Sequence, residues 1–141
     1  MWQRHSFHRL FFHLVFTTKH REAWIATMEQ GDALFNLFRV KAAQLNAYIE
    51  EFGCYRDHVH LLVRSGPTVP LCDLYGQMKG FASWAWNRQY PARQLKWQDG
   101  VWSATVDPEN SEALRRYIRE QWWRHESRSC IEAWEPNPEC P

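Results

Sequence analysis

Apolar and polar positions along the chain fall into regimes with different periods. Phe11-Phe12-His13-Leu14-Val15-Phe16-Thr17 is dense in aromatic and β-branched residues and reads as a strand, followed by a polar basic turn at Thr18-Lys19-His20-Arg21. From Glu29 to Phe52 the apolar residues Leu34, Leu37, Phe38, Leu45, Tyr48, Ile49 and Phe52 recur at helical spacing. That pattern predicts one long helix, with Gly53 as its C-cap. A second strand is predicted from Cys54 to Arg64, stopped by the turn signal Ser65-Gly66-Pro67. Leu71, Leu74, Tyr75, Met78, Phe81, Ala82 and Ala85 then follow one helical stripe, predicting a helix to about Arg88. Lys96-Trp97-Gln98 and Val101 to Val106 flank Asp99-Gly100 as a hairpin or loop. Asp107-Pro108-Glu109 opens a last helix, with Asp as N-cap and Pro at N1, running to about Glu126. The order β-α-β-α-β-(β)-α implies an α+β fold, a mostly antiparallel sheet with helices packed on it.

A length of 141 residues suits one domain. The body is expected at 1–127, with a loose Pro/Glu-rich tail at 128–141. The apolar run Leu10 to Phe16 is interrupted by His13 and far too short to span a bilayer, and no secretory signal is read at the start. A soluble, cytoplasmic protein with no membrane association is expected. The four Cys, at 54, 72, 130 and 140, include no CxxC pair and read as separate reduced thiols. Nine Trp is a high count, and Trp serves cores, interfaces and base-stacking platforms alike. Trp122 and Trp123 project about 100° apart on a helix, so one of them is free to meet a partner.

The formal charge of +1 argues against a polybasic nucleic-acid binder, but the total hides the distribution. Arg4 to Arg21 holds four Lys/Arg, four His and no acid, and between Asp73 and Asp99 lie Lys79, Arg88, Arg93 and Lys96, again without an acid. The acids gather at Asp107, Glu109 and Glu112 and in the tail. A segregated solvated surface and a phosphate-binding face both account for this.

The candidate chemistry lies in two short patterns. In Asp57-His58-Val59-His60, the strand period of two puts both imidazoles on one face, where they can share a metal ion or stand as ordinary hydrogen-bonded residues. Val59, Leu61 and Val63 take the other face, toward the core. In the last helix, Tyr117 and Gln121 sit one turn apart on one face. Gln can lend a carbonyl oxygen to a metal and Tyr a phenolic nucleophile; a packed Tyr and a solvated Gln are the plain alternative. Two His and an amide suit Mn²⁺ or Zn²⁺ as readily as Mg²⁺.

Together these residues resemble a known family. His13-Leu14-Val15-Phe16-Thr17-Thr18-Lys19-His20-Arg21 resembles the opening strand and turn of the HUH-type single-tyrosine transposases of the insertion-sequence-200-like family, whose relatives include the REP-associated tyrosine transposases. Asp57-His58-Val59-His60-Leu61-Leu62-Val63 is similar to their HUH strand, Gln77-Met78-Lys79-Gly80 to the helix segment after it, Trp97 to Val106 to the next stretch, and Tyr117-Ile118-Arg119-Glu120-Gln121 to the tyrosine helix. The matches keep the family's order from about residue 8 to 126. The chain has His20 where the family commonly shows Tyr.

The resemblance implies a ferredoxin-like HUH fold and a homodimeric enzyme that cleaves and rejoins single-stranded DNA with hairpin ends. It implies Tyr117 as nucleophile, His58, His60 and Gln121 as ligands of Mg²⁺ or Mn²⁺, and no organic cofactor. Lys19, His20, Arg21 and Lys79 are candidate DNA contacts. His125, four residues after Gln121, falls near positions where the family carries histidines, as a support for the ligands or a surface residue. Two other classes remain open: a non-catalytic binder of hairpin or single-stranded DNA, and a metal-dependent nuclease that uses water in place of Tyr117.

Overall fold

The computed structural model describes residues 2–3 and 6–136. Met1, Arg4, His5 and the tail residues Asn137, Pro138, Glu139, Cys140 and Pro141 lie outside that set. A small antiparallel pair, β1 (Trp2–Gln3) and β2 (Ser6–Phe7), precedes the main body. There follow β3 (Leu10–Thr17), α1 (Met28–Gln44), β4 (Tyr48–Tyr55), β5 (His58–Ser65), α2 (Leu71–Gln89), β6 (Trp102–Thr105), α3 (Glu112–Arg119) and α4 (Gln121–Glu126). The fold is α+β, with a four-stranded antiparallel sheet in the order β4-β5-β3-β6.

Alternation along the two central strands divides the molecule into layers. Leu14 and Phe16 of β3 and Val59, Leu61 and Val63 of β5 enter the main core, together with Leu34, Phe38 and Ala42 of α1 and Leu74, Met78, Ala82 and Trp86 of α2. The opposite face presents Phe11 and Leu62, which pack under Leu114 and Ile118 of α3. His13, His58 and His60 share the parity of that second face, and all three are buried. The period-two reading of Asp57 to Val63 therefore places apolar and imidazole side chains on the expected opposite sides.

Several predicted elements differ from the observed ones. The helix expected to reach Phe52 ends at Gln44, and Asn46, at φ 57°, turns the chain through the left-handed region that Asn tolerates. Residues Tyr48 to Phe52 then belong to a strand, because their backbone pairs with β5 in a register such as Phe52 opposite Leu61. Their apolar spacing fitted either structure, and the β5 partner decides it. Gly53 is accordingly not a C-cap but a strand residue, pressed against the backbone of α3. A Cβ there would stand 1.6 Å from the Ile118 carbonyl oxygen.

Of the hairpin or loop expected at Asp99-Gly100 the structure has the loop, with Gly100 at φ 81°. Its two arms both dock on the β3 segment: Thr18 bridges Trp97, and β6 pairs with β3. The last predicted helix is broken into a single turn at Pro108–Asn110, α3 and α4, with a kink at Glu120. Its start is as expected, since the Asp107 carboxylate accepts the Glu109 backbone N–H. Cys54 and Cys72 are free thiols, but Cys130 is disulfide-bonded, which departs from the expectation of four separate thiols.

Candidate active site

The site forms where β5 meets the kinked α3–α4 pair on the second face of the sheet. β5 leaves a tight turn at Arg56–Asp57, so His58 is its first residue and Asp57 stands beside it rather than within the strand. His58 Nδ1 donates to Asp57 Oδ1 at 2.7 Å, and Arg21 Nε donates to Asp57 Oδ2 at 3.0 Å. With its Nδ1 proton committed to a carboxylate, His58 turns the Nε2 lone pair into the site. Asp57 titrates below the ordinary carboxylate range. Burial pushes it up, but the hydrogen bond and charge of His58 and the Arg21 guanidinium outweigh that effect.

His60 has a comparable brace. Its Nδ1 lies 2.9 Å from Nε2 of His13, which β3 holds on the same face. With His13 Nε2–H as the donor to His60 Nδ1, His60 Nε2–H faces the site and donates to Glu135. Burial drives both imidazoles toward the neutral form, His60 to about 4 and His13 to about 3. Neutral imidazole is the form that binds metal.

From α4, Gln121 Oε1 lies 3.2 Å from His58 Nε2 and 3.2 Å from His125 Nε2, while its amide N–H donates to the Tyr117 carbonyl at 3.2 Å. Tyr117, on α3, is fully buried and its ring centroid is 6.0 Å from that of His60. All four residues expected to carry the chemistry, His58, His60, Tyr117 and Gln121, are thus brought to one place.

A fifth member comes from the tail. Residues 130–136 fold back over α3 and α4, and Glu135 is buried at the centre of the cluster. Its Oε2 lies 3.3 Å from His60 Nε2 and 3.6 Å from His58 Nε2, and its Oε1 lies 3.3 Å from His125 Nε2. The Tyr117 hydroxyl donates to the same Oε1, and also accepts the Ile131 backbone N–H at 3.1 Å. Burial raises the Tyr117 phenol above its usual range and the Glu135 hydrogen bond raises it further, because the carboxylate favours the protonated phenol. Burial alone would raise Glu135 as well, yet the hydrogen bonds from His125 and His60 hold it well below the usual carboxylate range.

A family model described as "Transposase IS200 like" matches residues 6–121. The chain belongs to the IS200-like transposase family. Curated relatives agree. The ISDra2 transposase TnpA of Deinococcus radiodurans is 27% identical over 120 residues, covering 81% of this chain and 85% of its own. The transposase for insertion sequence element IS200 of Salmonella typhimurium is 27% identical over 117 residues, covering 78% and 75%. Among solved structures, a protein of Deinococcus radiodurans assigned as a transposase superposes with a TM-score of 0.70 at 23% identity, over 86% of this chain and 98% of its own. A REP-associated tyrosine transposase bound to a REP hairpin gives 0.63 at 12% identity, over 89% and 73%. The two structures share the fold.

For an IS200-like transposase the donor set is chemically apt for a divalent cation. His58, His125 and Glu135 each offer an atom within 4.8 Å of the others, and His60 Nε2 and Gln121 Oε1 border the same space. His125 thus points into the cluster rather than to solvent, as its spacing of four from Gln121 on one helical face allows. Asp57, Arg21 and His13 act one step further out, and no sequence pattern singled out their contacts. Glu135 carried no sequence signal at all, since the tail has neither periodicity nor a motif.

The candidate DNA contacts separate on inspection. Lys19 and His20 are exposed at a turn in which His20 and Arg21 have φ of 59° and 55°. Arg21 is tied to Asp57, and Lys79 donates to the carbonyls of Gln98 at 2.8 Å and Gly100 at 2.5 Å, which pins the loop before β6. Among the described residues no helix is long and apolar enough to cross a membrane.

Proposed function

We propose that this transposase cleaves and rejoins single-stranded DNA, with Tyr117 as nucleophile and His58, His60 and Gln121 holding Mg²⁺ or Mn²⁺. The observation that carries the reading is the reach of one carboxylate. Glu135 touches the Tyr117 hydroxyl with one oxygen and lies 3.3 Å from His60 Nε2 with the other. A tetrahedral phosphate, similar in span to a carboxylate, therefore meets both the phenol and the imidazole ligands in the same space.

The chemistry follows from those positions. Attack by the Tyr117 oxygen on the scissile phosphorus forms a 5′-phosphotyrosine, breaks the P–O3′ bond and releases a 3′-OH. One phosphodiester replaces another, so rejoining by a 3′-OH needs no ATP. A bound divalent ion would neutralise charge on the non-bridging phosphate oxygens. The neutral phenol is a poor nucleophile and must lose its proton as the bond forms. In the present arrangement that proton points at Glu135. Asp57 and His13 fix the two imidazoles so that little reorganisation accompanies metal or phosphate binding.

The substrate class is DNA with hairpin ends, supported by the family and by a relative of the same fold whose structure holds a REP hairpin. Beside Glu135, a cleft of about 240 Å³ between Thr17, Trp102 and Pro136 leaves room for a strand to approach. The active species is proposed to be a homodimer, to be tested by light scattering. The reading as a whole is tested by incubating the protein with labelled hairpin DNA and Mg²⁺ or Mn²⁺ under denaturing electrophoresis. A retarded protein–DNA band supports it. Cleavage without that band indicates a water-using nuclease, and binding without either indicates a non-catalytic binder.

A further inference from the structure

The aromatic surplus of the sequence is concentrated at one place the mechanism does not use. Trp24, Trp86 and Tyr90 line a cavity of about 390 Å³ at the C-terminal end of α2, with Gln89 and Arg93 as polar wall residues. That volume lies within the range of ligand clefts, about 300–1,000 Å³. The ring centroids of Trp24 and Trp86 are 4.8 Å apart and nearly perpendicular, and Tyr90 lies 4.8 Å from Trp86 on its far side. Trp24 and Trp86 are buried, whereas Tyr90 is 47% exposed at the mouth. The buried Trp24 indole N–H has no hydrogen-bond partner among the described residues. That nitrogen has no accessible surface, so the face the cavity offers to a flat ligand is the exposed Tyr90 ring.

We propose that this cavity is a recognition subsite for one unpaired base of the single-stranded DNA substrate. The inference rests on the DNA-cleaving reading above and adds a contact outside the catalytic cluster. The exposed Tyr90 face suits a base whatever its identity, because every base has a π-face.

Charge and position select nucleic acid over another flat ligand. Lys79, Ser83, Trp86 and Tyr90 follow one another on α2 at spacings of four, three and four, so they form one stripe of the helix. The Lys79 and Ser83 end of that stripe borders a second cleft of about 390 Å³ that is also lined by Lys19 and Lys96. Both of those lysines are exposed, with Asp99 the acid on the same cleft. The structure thus joins the two acid-free basic stretches of the sequence, as the Lys19 backbone N–H donates to the Lys96 carbonyl at 2.9 Å. Phosphates on the lysines and a base in the aromatic cavity is the usual division of labour in single-strand binding. Arg93 donates to the Ala23 carbonyl at 2.9 Å and lies 4.0 Å from Glu22, so it serves as a fixed wall rather than a free cation.

The cavity also lies at the end of the sheet where the catalytic strand begins. The Ile25 backbone N–H, next to Trp24, donates at 2.8 Å to the Arg56 carbonyl, two residues before His58.

The test is an abasic scan. A fluorescent DNA hairpin with mixed-sequence single-stranded flanks is prepared with each flank base removed in turn, and its affinity for the full chain is read by anisotropy. Removal at one position is expected to weaken binding by about tenfold, the scale of one lost stacking contact. The same removal has no further effect on Tyr90→Ala, which weakens intact DNA by a similar factor, while Tyr90→Phe restores the wild-type pattern. Equal melting temperatures for the Tyr90 variants show that the fold is intact. A flat scan, or an equal abasic penalty in wild type and Tyr90→Ala, overturns the subsite. Adduct formation by the wild-type protein is scored separately. Its presence beside a flat scan removes the subsite alone, and its absence beside a position-specific scan removes the cleavage reading alone.

Discussion

Gly53→Ala is expected to separate the tyrosine helix from the histidine strand. The glycine lies on β4, and an added Cβ would meet the Ile118 carbonyl oxygen at 1.6 Å, the carbonyl carbon at 2.7 Å and Gln121 Cγ at 3.1 Å. The obstacle is backbone, so no rotamer change relieves it, and helix and strand must part by about 1.5–2 Å to recover van der Waals distance. Such overpacking costs about 1–3 kcal/mol, or roughly 5–10 °C in melting temperature for a domain of this size. The displaced segment carries Tyr117 and Gln121, and Gln121 Oε1 now lies 3.2 Å from His58 Nε2. A misplacement of about 1 Å in a catalytic group costs on the order of 10²-fold in rate. Gly76 on α2 is the control, because a Cβ there meets nothing within 4 Å and Ala favours a helix. The assay pairs thermal denaturation with the rate of covalent DNA capture by each variant. Gly53→Ala should lose both stability and rate while Gly76→Ala keeps or gains stability. Wild-type melting and capture by Gly53→Ala would refute the claim that this close approach sets the geometry of the site.

Asp57→Ala should weaken Mn²⁺ binding by about 10–100-fold in calorimetric titration, since it frees the His58 ring while leaving every ligand in place; unchanged affinity would remove Asp57 from that role. Glu135→Gln should speed covalent capture at subsaturating DNA, because the carboxylate occupies phosphate space and repels a phosphodiester; slower capture would mean that the carboxylate assists the chemistry. Cys54 is buried, and burial followed by the Asp32 charge pushes its thiol up to about 12. At pH 8 iodoacetamide should therefore label the exposed Cys72 well before Cys54, as read by peptide mass, and equal labelling would contradict the burial. The sign for stability follows: the unfolded chain ionises this thiol above about pH 9 and the native chain does not, so the Cys54 contribution is complete below that pH and fades toward pH 12.

What the sequence disclosed depended on how local each feature is. His58 and His60 could be paired from strand period alone, and the face opposite Val59, Leu61 and Val63 is the one on which the buried imidazoles gather. Tyr117 and Gln121 were linked by one helical turn, although the kink at Glu120 falls between them and was not foreseen. The strand at Tyr48 was hidden because its aromatic spacing also fits a helix, and only pairing with β5 distinguishes the two. The Arg56–Asp57 turn lacks the Gly or Pro that usually marks one, so Cys54 and Tyr55, the end of β4, read as the start of β5. Glu135 was out of reach for a different reason. A tail without periodicity says nothing about where it docks, and its burial depends on Tyr117, His60 and His125, which only the tertiary structure assembles.

The central claim is that Tyr117 attacks DNA, and peptide mapping of the covalent product tests it most directly. Wild-type protein is reacted with hairpin DNA and Mn²⁺, the DNA is trimmed with nuclease, and the digest is sequenced by mass spectrometry. The account predicts a nucleotide mass on the peptide that contains Tyr117, attached through a 5′-phosphotyrosine, and no adduct from Tyr117→Phe. A nucleotide on any other residue, or an adduct that survives Tyr117→Phe, would contradict it.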